Sequence, residues 1–239
     1  MDPSKTDLAV LLADAFNLRY FHAEGGEPPV IPFHHTPGKV PLVAVVGPNA
    51  GGKSFFRRIV QQVCAHREPK IECMGISMQF RTEANNPFKA FVFGDETWQA
   101  TGEISGHTVL TGINTCASRD NPHVIFWDEP DLGLSDGYSG GMGQTLARFA
   151  QNLPTHTVGA FVVTHSRALL RQLLPVEPHY VHLGSENPPE SLQAWLDTEA
   201  PVLPQEDLKE ASYARFRRIQ KILQEVRKDF LQGVRKGPR

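Results

Sequence analysis

The chain has 239 residues and a nearly balanced charge, with 24 Lys and Arg against 26 Asp and Glu, which gives a formal net charge of −2 at pH 7. Its hydrophobic fraction of 40% is enough for a packed core, and no apolar run approaches the about 18 residues that a membrane span needs. The start of the chain lacks a basic and apolar signal pattern, and its three cysteines lack metal-ligand spacing. We expect a soluble cytoplasmic protein with free thiols and no transmembrane segment, built as one large domain or as a domain with a small appendage.

The N-terminal part of the chain predicts one helix and little other regular structure. An amphipathic pattern indicates a helix over residues 7–18. Residues 19–40 are poor in strand patterns and contain Gly25-Gly26 and Pro28-Pro29, which are typical of turns.

A phosphate-binding loop follows the first clear strand. Residues 43–46 predict a buried strand, and residues 55–63 predict a helix. Glycines between them let backbone N–H groups point at phosphate oxygens, and the helix adds its positive N-terminus. We predict that Lys53 binds the β- and γ-phosphates and that Ser54 holds Mg²⁺. The loop matches G-x-x-x-x-G-K-[ST] and comprises Gly47, Pro48, Asn49, Ala50, Gly51, Gly52, Lys53 and Ser54, and Phe55 follows as a further nucleotide contact.

The next segment predicts a short strand, a polar insert and a helix. The strand covers residues 71–78, the insert about residues 80–107, and the helix begins at about Thr108 and ends at Ser118.

Two adjacent carboxylates, Asp128 and Glu129, end an apolar strand over residues 123–128. An acidic residue at a strand end beside a phosphate loop holds Mg²⁺, which assigns that role to Asp128. Glu129 can polarise the attacking water as a general base. Because a nucleotide kinase needs no second carboxylate there, the pair favours ATP hydrolysis. The alternative is an ordinary strand end before the turn at Pro130.

The rest of the core alternates helices and strands. A glycine turn over residues 138–144 leads into a helix over residues 144–152, and a strand over residues 159–164 ends at His165. A helix over residues 167–174 and a strand over residues 179–183 follow. This alternation predicts an α/β fold with a mostly parallel sheet flanked by helices.

These motifs resemble the ABC-type ATPase family over about residues 40–184. Residues 131–136 resemble its D-loop, and His165 resembles its switch histidine. The segment Ile104-Ser105-Gly106-His107-Thr108 stands where the signature L-S-G-G-Q falls. Only Ser105 and Gly106 match it strictly, since His107 replaces the second glycine and Thr108 the glutamine.

The resemblance implies a P-loop NTPase that binds ATP and Mg²⁺. It implies that His165 contacts the γ-phosphate, that Gln79 contributes to the metal site, and that Ser105 and Gly106 close over the nucleotide of a second copy. Plainer alternatives are a strand-end histidine, a solvent-facing Gln79 and a Ser-Gly turn. Tyr20 or Phe33 is a candidate for adenine stacking, although such aromatics are more often core residues.

The last segment is basic. Residues 207–239 carry ten Lys and Arg and four Asp and Glu, a net charge of +6, whereas the remaining residues sum to −8. Apolar residues at alternating spacings of three and four predict an amphipathic helix: Phe216, Ile219, Leu223, Val226 and Phe230. This helix packs on its own domain, binds a protein partner or second copy, or contacts nucleic acid or an anionic membrane.

We therefore divide the chain into an ATPase core over residues 1–184, a connector over residues 185–206 that includes one short helix over residues 191–195, and the basic C-terminal helix over residues 207–239. The expected function is ATP binding and hydrolysis, with ATP driving a head-to-tail homodimer, or association with a partner protein, as a switch that acts on a protein or nucleic-acid partner. The alternatives are the nucleotide-binding subunit of a membrane transporter and a P-loop small-molecule kinase.

Overall fold

A computed structural model describes residues 7–23, 26–77, 101–199 and 202–235. The strands are β1 (Phe33–Thr36), β2 (Val40–Val46), β3 (Glu72–Ser77), β4 (His123–Asp128), β5 (Thr157–Val163) and β6 (Pro178–Leu183). The helices are α1 (Leu8–Phe16), α2 (Lys53–Ala65), α3 (Thr101–Ala117), α4 (Asp136–Gln151), α5 (Arg167–Arg171), α6 (Leu192–Asp197) and α7 (Gln205–Arg235).

The six described strands form one sheet in the order β1-β6-β2-β5-β4-β3. β1 runs antiparallel to β6, and every other neighbouring pair is parallel. The predicted α/β class, with a mostly parallel sheet between helices, is confirmed. Since β5 separates β2 from β4, the loops that follow these three strands lie side by side at the carboxyl edge of the sheet, where parallel sheets bind ligands.

Each face of the sheet carries its own hydrophobic core, because the central strands alternate buried side chains between the two faces. One core joins α1 and α2 to strand residues such as Val45, Phe126 and Phe161. The other joins α4, α5 and α6 to residues such as Trp127 and Val162. Helices on both faces thus hold the sheet rigidly below the loops at its carboxyl edge.

The sequence does not predict strand β1, because its residues Phe-His-His-Thr have no apolar alternation. It is an edge strand whose residues pair with β6, more than a hundred residues later in the chain. Its position therefore depends on a partner strand that local sequence does not reveal.

Two helices begin earlier than the sequence predicts. α3 begins at Thr101, so the Ser-Gly pair lies inside the helix instead of ending a loop. The hydroxyls of Ser105 and Thr108 donate to the carbonyl oxygens of Thr101 and Ile104, one turn earlier. In α4, the glycine-rich stretch that favours a turn by composition is helical from Asp136 onward.

The C-terminal region contains the predicted helices, α6 and α7. Leu192 and Leu196 of α6 are buried in the second core, so the segment predicted as a connector packs on the core. Ile219 and Ile222 of α7 pack against the first core, which confirms for the described side chains that α7 contacts its own domain. The side chains of Val226 and Phe230 lie outside the described part of the helix. No helix among the described residues is long and apolar enough to cross a membrane.

Candidate functional site

The loop between β2 and α2 packs tightly against the end of β6. Gly47 has φ 141°, and a Cβ on it would lie 2.1 Å from the Leu183 carbonyl oxygen. Gly52 caps α2 with φ 101°. Only glycine adopts these angles readily, and only glycine fits against the Leu183 backbone. The predicted glycines Gly47 and Gly52 thus allow the loop to pack against β6 and to lead directly into α2.

Backbone donors in this loop remain without acceptors. Within the described part of the chain, no hydrogen bond engages the N–H groups of Asn49, Ala50 or Gly52, whereas that of Gly51 donates to the Pro48 carbonyl oxygen at 3.0 Å. The first N–H groups of α2, beginning at Lys53, have no acceptor inside a helix either. Such N–H groups beside a helix N-terminus form a cradle suited to phosphate oxygens.

The Lys53 ammonium lies across the mouth of this loop. Its Nζ donates to the carbonyl oxygens of Gly47 and Pro48 at 3.0 Å each, and it lies 3.0 Å from His165 Nε2. Burial lowers the pKa of Lys53 to about 8, although the negative charges of Glu129 and Asp128 act to raise it. Near neutral pH, Lys53 is therefore still mainly a cation held at the point where phosphate charge would need neutralising.

The two predicted carboxylates stand at the end of β4. Burial raises the pKa of Asp128, and the charges of Arg57 and Lys53 oppose that shift. Glu129 is exposed and has φ 52°, a left-handed conformation that is strained for a residue with a side chain. Its N–H donates to the Val163 carbonyl oxygen at 2.8 Å, which fixes the turn. Strain of this kind is concentrated at functional sites.

His165 follows β5, and hydrogen bonds of the residues on either side of it fix this loop. The Thr164 hydroxyl donates to Asp131 Oδ1 at 2.7 Å and accepts from the Ser166 N–H at 2.9 Å. Asp131 belongs to the segment after Glu129, so these bonds tie the β4 and β5 loops together. Desolvation, followed by the charge of Lys53, lowers the pKa of His165 to about 4. The ring is therefore neutral at pH 7, and Nε2 accepts the hydrogen bond from Lys53.

These groups surround one cavity of about 860 Å³. That volume is within the range of small-ligand sites, roughly 300–1,000 Å³. Of the predicted site residues, the cavity brings together Asn49, Ala50, Gly51, Gly52, Lys53, Ser54, Phe55, Asp128, Glu129 and His165. The sequence prediction therefore groups residues from three separate loops that the fold places around a single opening.

Ser54 and Asp128 are the described residues suited to a magnesium ion. Both line the cavity, and Ser54 is exposed on the first turn of α2. No group of three or more His, Cys, Asp or Glu side chains suited to a metal occurs among the described residues. Magnesium usually needs only one or two protein carboxylates beside water and phosphate oxygens, so the pair fits its chemistry. Gln79, the third predicted ligand, lies outside the described residues.

Ser105 and Gly106 are not placed as predicted. They lie inside α3 rather than before its first turn, so their N–H groups are not free helix-start donors. Ser105 is 0% exposed, and its hydroxyl reaches the carbonyl oxygens of Thr101 at 3.1 Å and Leu132 at 2.7 Å. In this structure Ser105 supports the loop after Glu129 from within its own chain, and only His107 of the segment over residues 104–108 is exposed.

The two aromatic candidates for base stacking pack elsewhere. Phe33 stacks on Phe16 with ring centroids 4.4 Å apart, within the first core. Tyr20 meets Phe55 edge-on at 5.1 Å, and Tyr20 does not line the cavity. Phe55, against which Tyr20 packs, borders the cavity instead.

Sequence reasoning misses the contribution of α7 to the site. Side chains of this helix form one wall of the cavity: Ser212, Arg215, Phe216, Ile219, Gln220 and Leu223. The amphipathic stripe signals that one face of α7 is covered, but its spacing carries no information about which part of the molecule covers it.

Comparison with known proteins finds no family model that matches the chain. No curated protein matches it either.

Proposed function

We propose that this protein is a P-loop ATPase similar to the ABC-type family, which binds ATP with Mg²⁺ and hydrolyses it to ADP and phosphate. The observation that carries the proposal is the meeting of the Lys53 cation, the unpaired N–H groups of the loop and the Asp128-Glu129 pair around one cavity. Cation, anion cradle and adjacent carboxylates are the parts that phosphoryl transfer to water requires.

Each residue has a role that follows from its position. The loop N–H groups and Lys53 bind the phosphates, and Lys53 gives up the carbonyl oxygens of Gly47 and Pro48 for phosphate oxygens. Ser54 and Asp128 would hold Mg²⁺, which supplies further neutralisation of phosphate charge when bound. Glu129 orients the attacking water and accepts its proton. His165 reaches the γ-phosphate side of the site from the β5 loop.

The choice of hydrolysis over transfer to another substrate rests on Glu129. A kinase brings its nucleophile on a second substrate, whereas a hydrolase must position water. The left-handed backbone at Glu129 holds an exposed carboxylate at the cavity wall. Phosphate release in the absence of any acceptor molecule is therefore the diagnostic reaction.

Titration with ATP and Mg²⁺, followed by phosphate-release measurement, tests the proposal. We expect wild-type protein to bind and hydrolyse ATP. Lys53→Ala should lose both activities while remaining folded, because the Lys53 side chain borders the cavity and belongs to neither hydrophobic core. Lys70→Ala is the matched control, since Lys70 is exposed and does not border the cavity. Equal ATP affinity in wild type and Lys53→Ala would overturn the assignment of the loop.

We also propose that ATP promotes association of two copies, as the ABC resemblance implies. The buried hydroxyl of Ser105 does not support the donors that the resemblance implies for this interface. Within the segment over residues 104–108, the exposed side chain that remains available for such a contact is His107.

A further inference from the structure

Helix α7 is fastened over the phosphate loop by its basic side chains. Arg215 donates to the carbonyl oxygen of Ala50 within the loop. One turn further on, Arg218 donates to the carbonyl oxygens of Pro28 and Pro29 at 2.7 and 2.9 Å. Lys221 pairs with Glu27 at 2.9 Å. Contacts along successive turns hold α7 in one orientation relative to the cavity.

This orientation turns part of the apolar stripe of α7 toward the cavity. Ile219 packs on the first core, but Phe216 and Leu223 remain 56% and 48% exposed. Spacings of three and four residues place these three side chains on one helix face. Phe216 and Leu223 thus leave apolar surface in contact with solvent at the α7 wall of the cavity.

The chemistry of the cavity divides between its two sides. The loop side is cationic and rich in N–H donors, which suits phosphates. The α7 side combines the polar side chains of Ser212, Arg215 and Gln220 with one aromatic ring and two aliphatic side chains. The apolar groups suit the flat face of a nucleobase. Exposed large apolar side chains inside a concave site mark the part that a ligand covers. The two ends of a nucleoside triphosphate match this division.

We propose that α7 forms the base-binding wall of the site, with Phe216 and Leu223 packing on the nucleobase of a bound nucleoside triphosphate. The inference rests on the proposed function, because the phosphates must lie on the loop for the base to reach α7. Arg215 acts as a positioning residue, since its hydrogen bond to the Ala50 carbonyl oxygen fixes the distance between α7 and the loop. In this arrangement α7 covers the base end of the nucleotide.

Two probes separate base contacts from phosphate contacts: ATP with Mg²⁺, and inorganic tripolyphosphate with Mg²⁺, which has no base. Phe216→Ala should weaken ATP binding by about 5- to 150-fold, the range for losing one base–aromatic contact, and leave tripolyphosphate affinity unchanged. Tyr213→Ala is the matched control, because Tyr213 is on the same helix, is also 56% exposed and does not border the cavity. It should bind both probes as wild type does.

A second matched pair guards against an effect peculiar to Phe216. Leu223→Ala should weaken ATP binding alone, whereas Leu208→Ala, at a position 42% exposed and away from the cavity, should change nothing. If both cavity variants bind ATP like wild type, α7 is not the base wall, and the proposed function still stands. If they lose tripolyphosphate equally, α7 acts on the loop instead, and the inference fails. Wild-type protein that binds neither probe overturns the proposed function itself.

Discussion

Lys53 Nζ and His165 Nε2 lie 3.0 Å apart, and this hydrogen bond joins the loop after β2 to the loop after β5. Lys53 also holds two carbonyl oxygens of its own loop. A neutral imidazole and two carbonyl oxygens therefore occupy the three donors of the Lys53 ammonium. Under the proposed function, phosphate oxygens would replace these acceptors, and the hydrogen bond between Lys53 and His165 would break on nucleotide binding.

Under the proposed roles, the two carboxylates at the end of β4 should affect activity in different ways when their charge is removed. Glu129→Gln should retain ATP binding but slow hydrolysis by about a hundredfold or more, because a general base is lost. Asp128→Asn should weaken ATP binding in the presence of Mg²⁺ and have little effect in its absence, since it removes a metal ligand. Calorimetric titration with and without Mg²⁺, beside phosphate-release rates, distinguishes the two. Normal hydrolysis by Glu129→Gln would place the base elsewhere.

The sequence carries most of the information about this site because its chemistry is local. The loop, the carboxylate pair and the strand-end histidine each follow a short apolar run, and parallel strands bring their carboxyl ends to one edge. The predicted strands β2, β4 and β5 accordingly lie close to their observed bounds.

The parts that the sequence does not reveal depend on distant partners. β1 is polar, and it becomes a strand only by pairing with β6. The glycines of α4 favour a turn by composition, yet Gly143 lies against α5, where a Cβ would be 2.4 Å from the Leu169 carbonyl oxygen. Close helix packing, not a turn, is what that glycine provides. The contact of α7 with the cavity is likewise a tertiary property that no local pattern encodes.

Two glycines of α4 should respond in opposite directions to the same change. Gly141 has open space where a methyl group would lie, so Gly141→Ala should raise the free energy of unfolding by up to about 1 kcal/mol, the helix-propensity difference. Gly143→Ala should lower it by about 1–3 kcal/mol, because the methyl group collides with the Leu169 backbone. Urea denaturation of both variants measures the difference. Equal destabilisation by both would favour a glycine turn over a helix in this stretch.

A histidine pair between β1 and β6 should make the fold sensitive to acid. His35 Nε2 lies 3.2 Å from His179 Nδ1, and the rings stack. Burial, then the charge of His179, lowers the pKa of His35 to about 4 from 6.5. Burial, then the charge of His34, lowers the pKa of His182 to about 4 as well. Between pH 4 and pH 6.5 the unfolded chain therefore binds more protons than the folded chain does. The stability that these neutral histidines contribute is complete above pH 6.5 and is lost as the pH falls toward 4.

Chemical denaturation at several pH values checks this window. His35→Gln should make the free energy of unfolding depend less steeply on pH between 6.5 and 4. The slope should fall by at most about 1.4 kcal/mol per pH unit, the value for one proton. His22→Gln is the control, since His22 is exposed and outside the sheet. A pH dependence that His35→Gln leaves unchanged would contradict the assignment.

The proposed association of two copies can be tested separately from the structural role of the buried Ser105 hydroxyl. Glu129→Gln loaded with ATP should form a dimer that the ligand-free protein does not form, visible by light scattering, because the slowed variant accumulates the ATP state. Adding His107→Gly should weaken this dimer, since His107 is the exposed polar side chain of the segment. Adding Ser105→Ala should instead lower stability by about 1–3 kcal/mol, because the Leu132 carbonyl oxygen loses its donor, and leave association unchanged. If the ATP-loaded Glu129→Gln protein stays monomeric at high concentration, the nucleotide acts within a single chain.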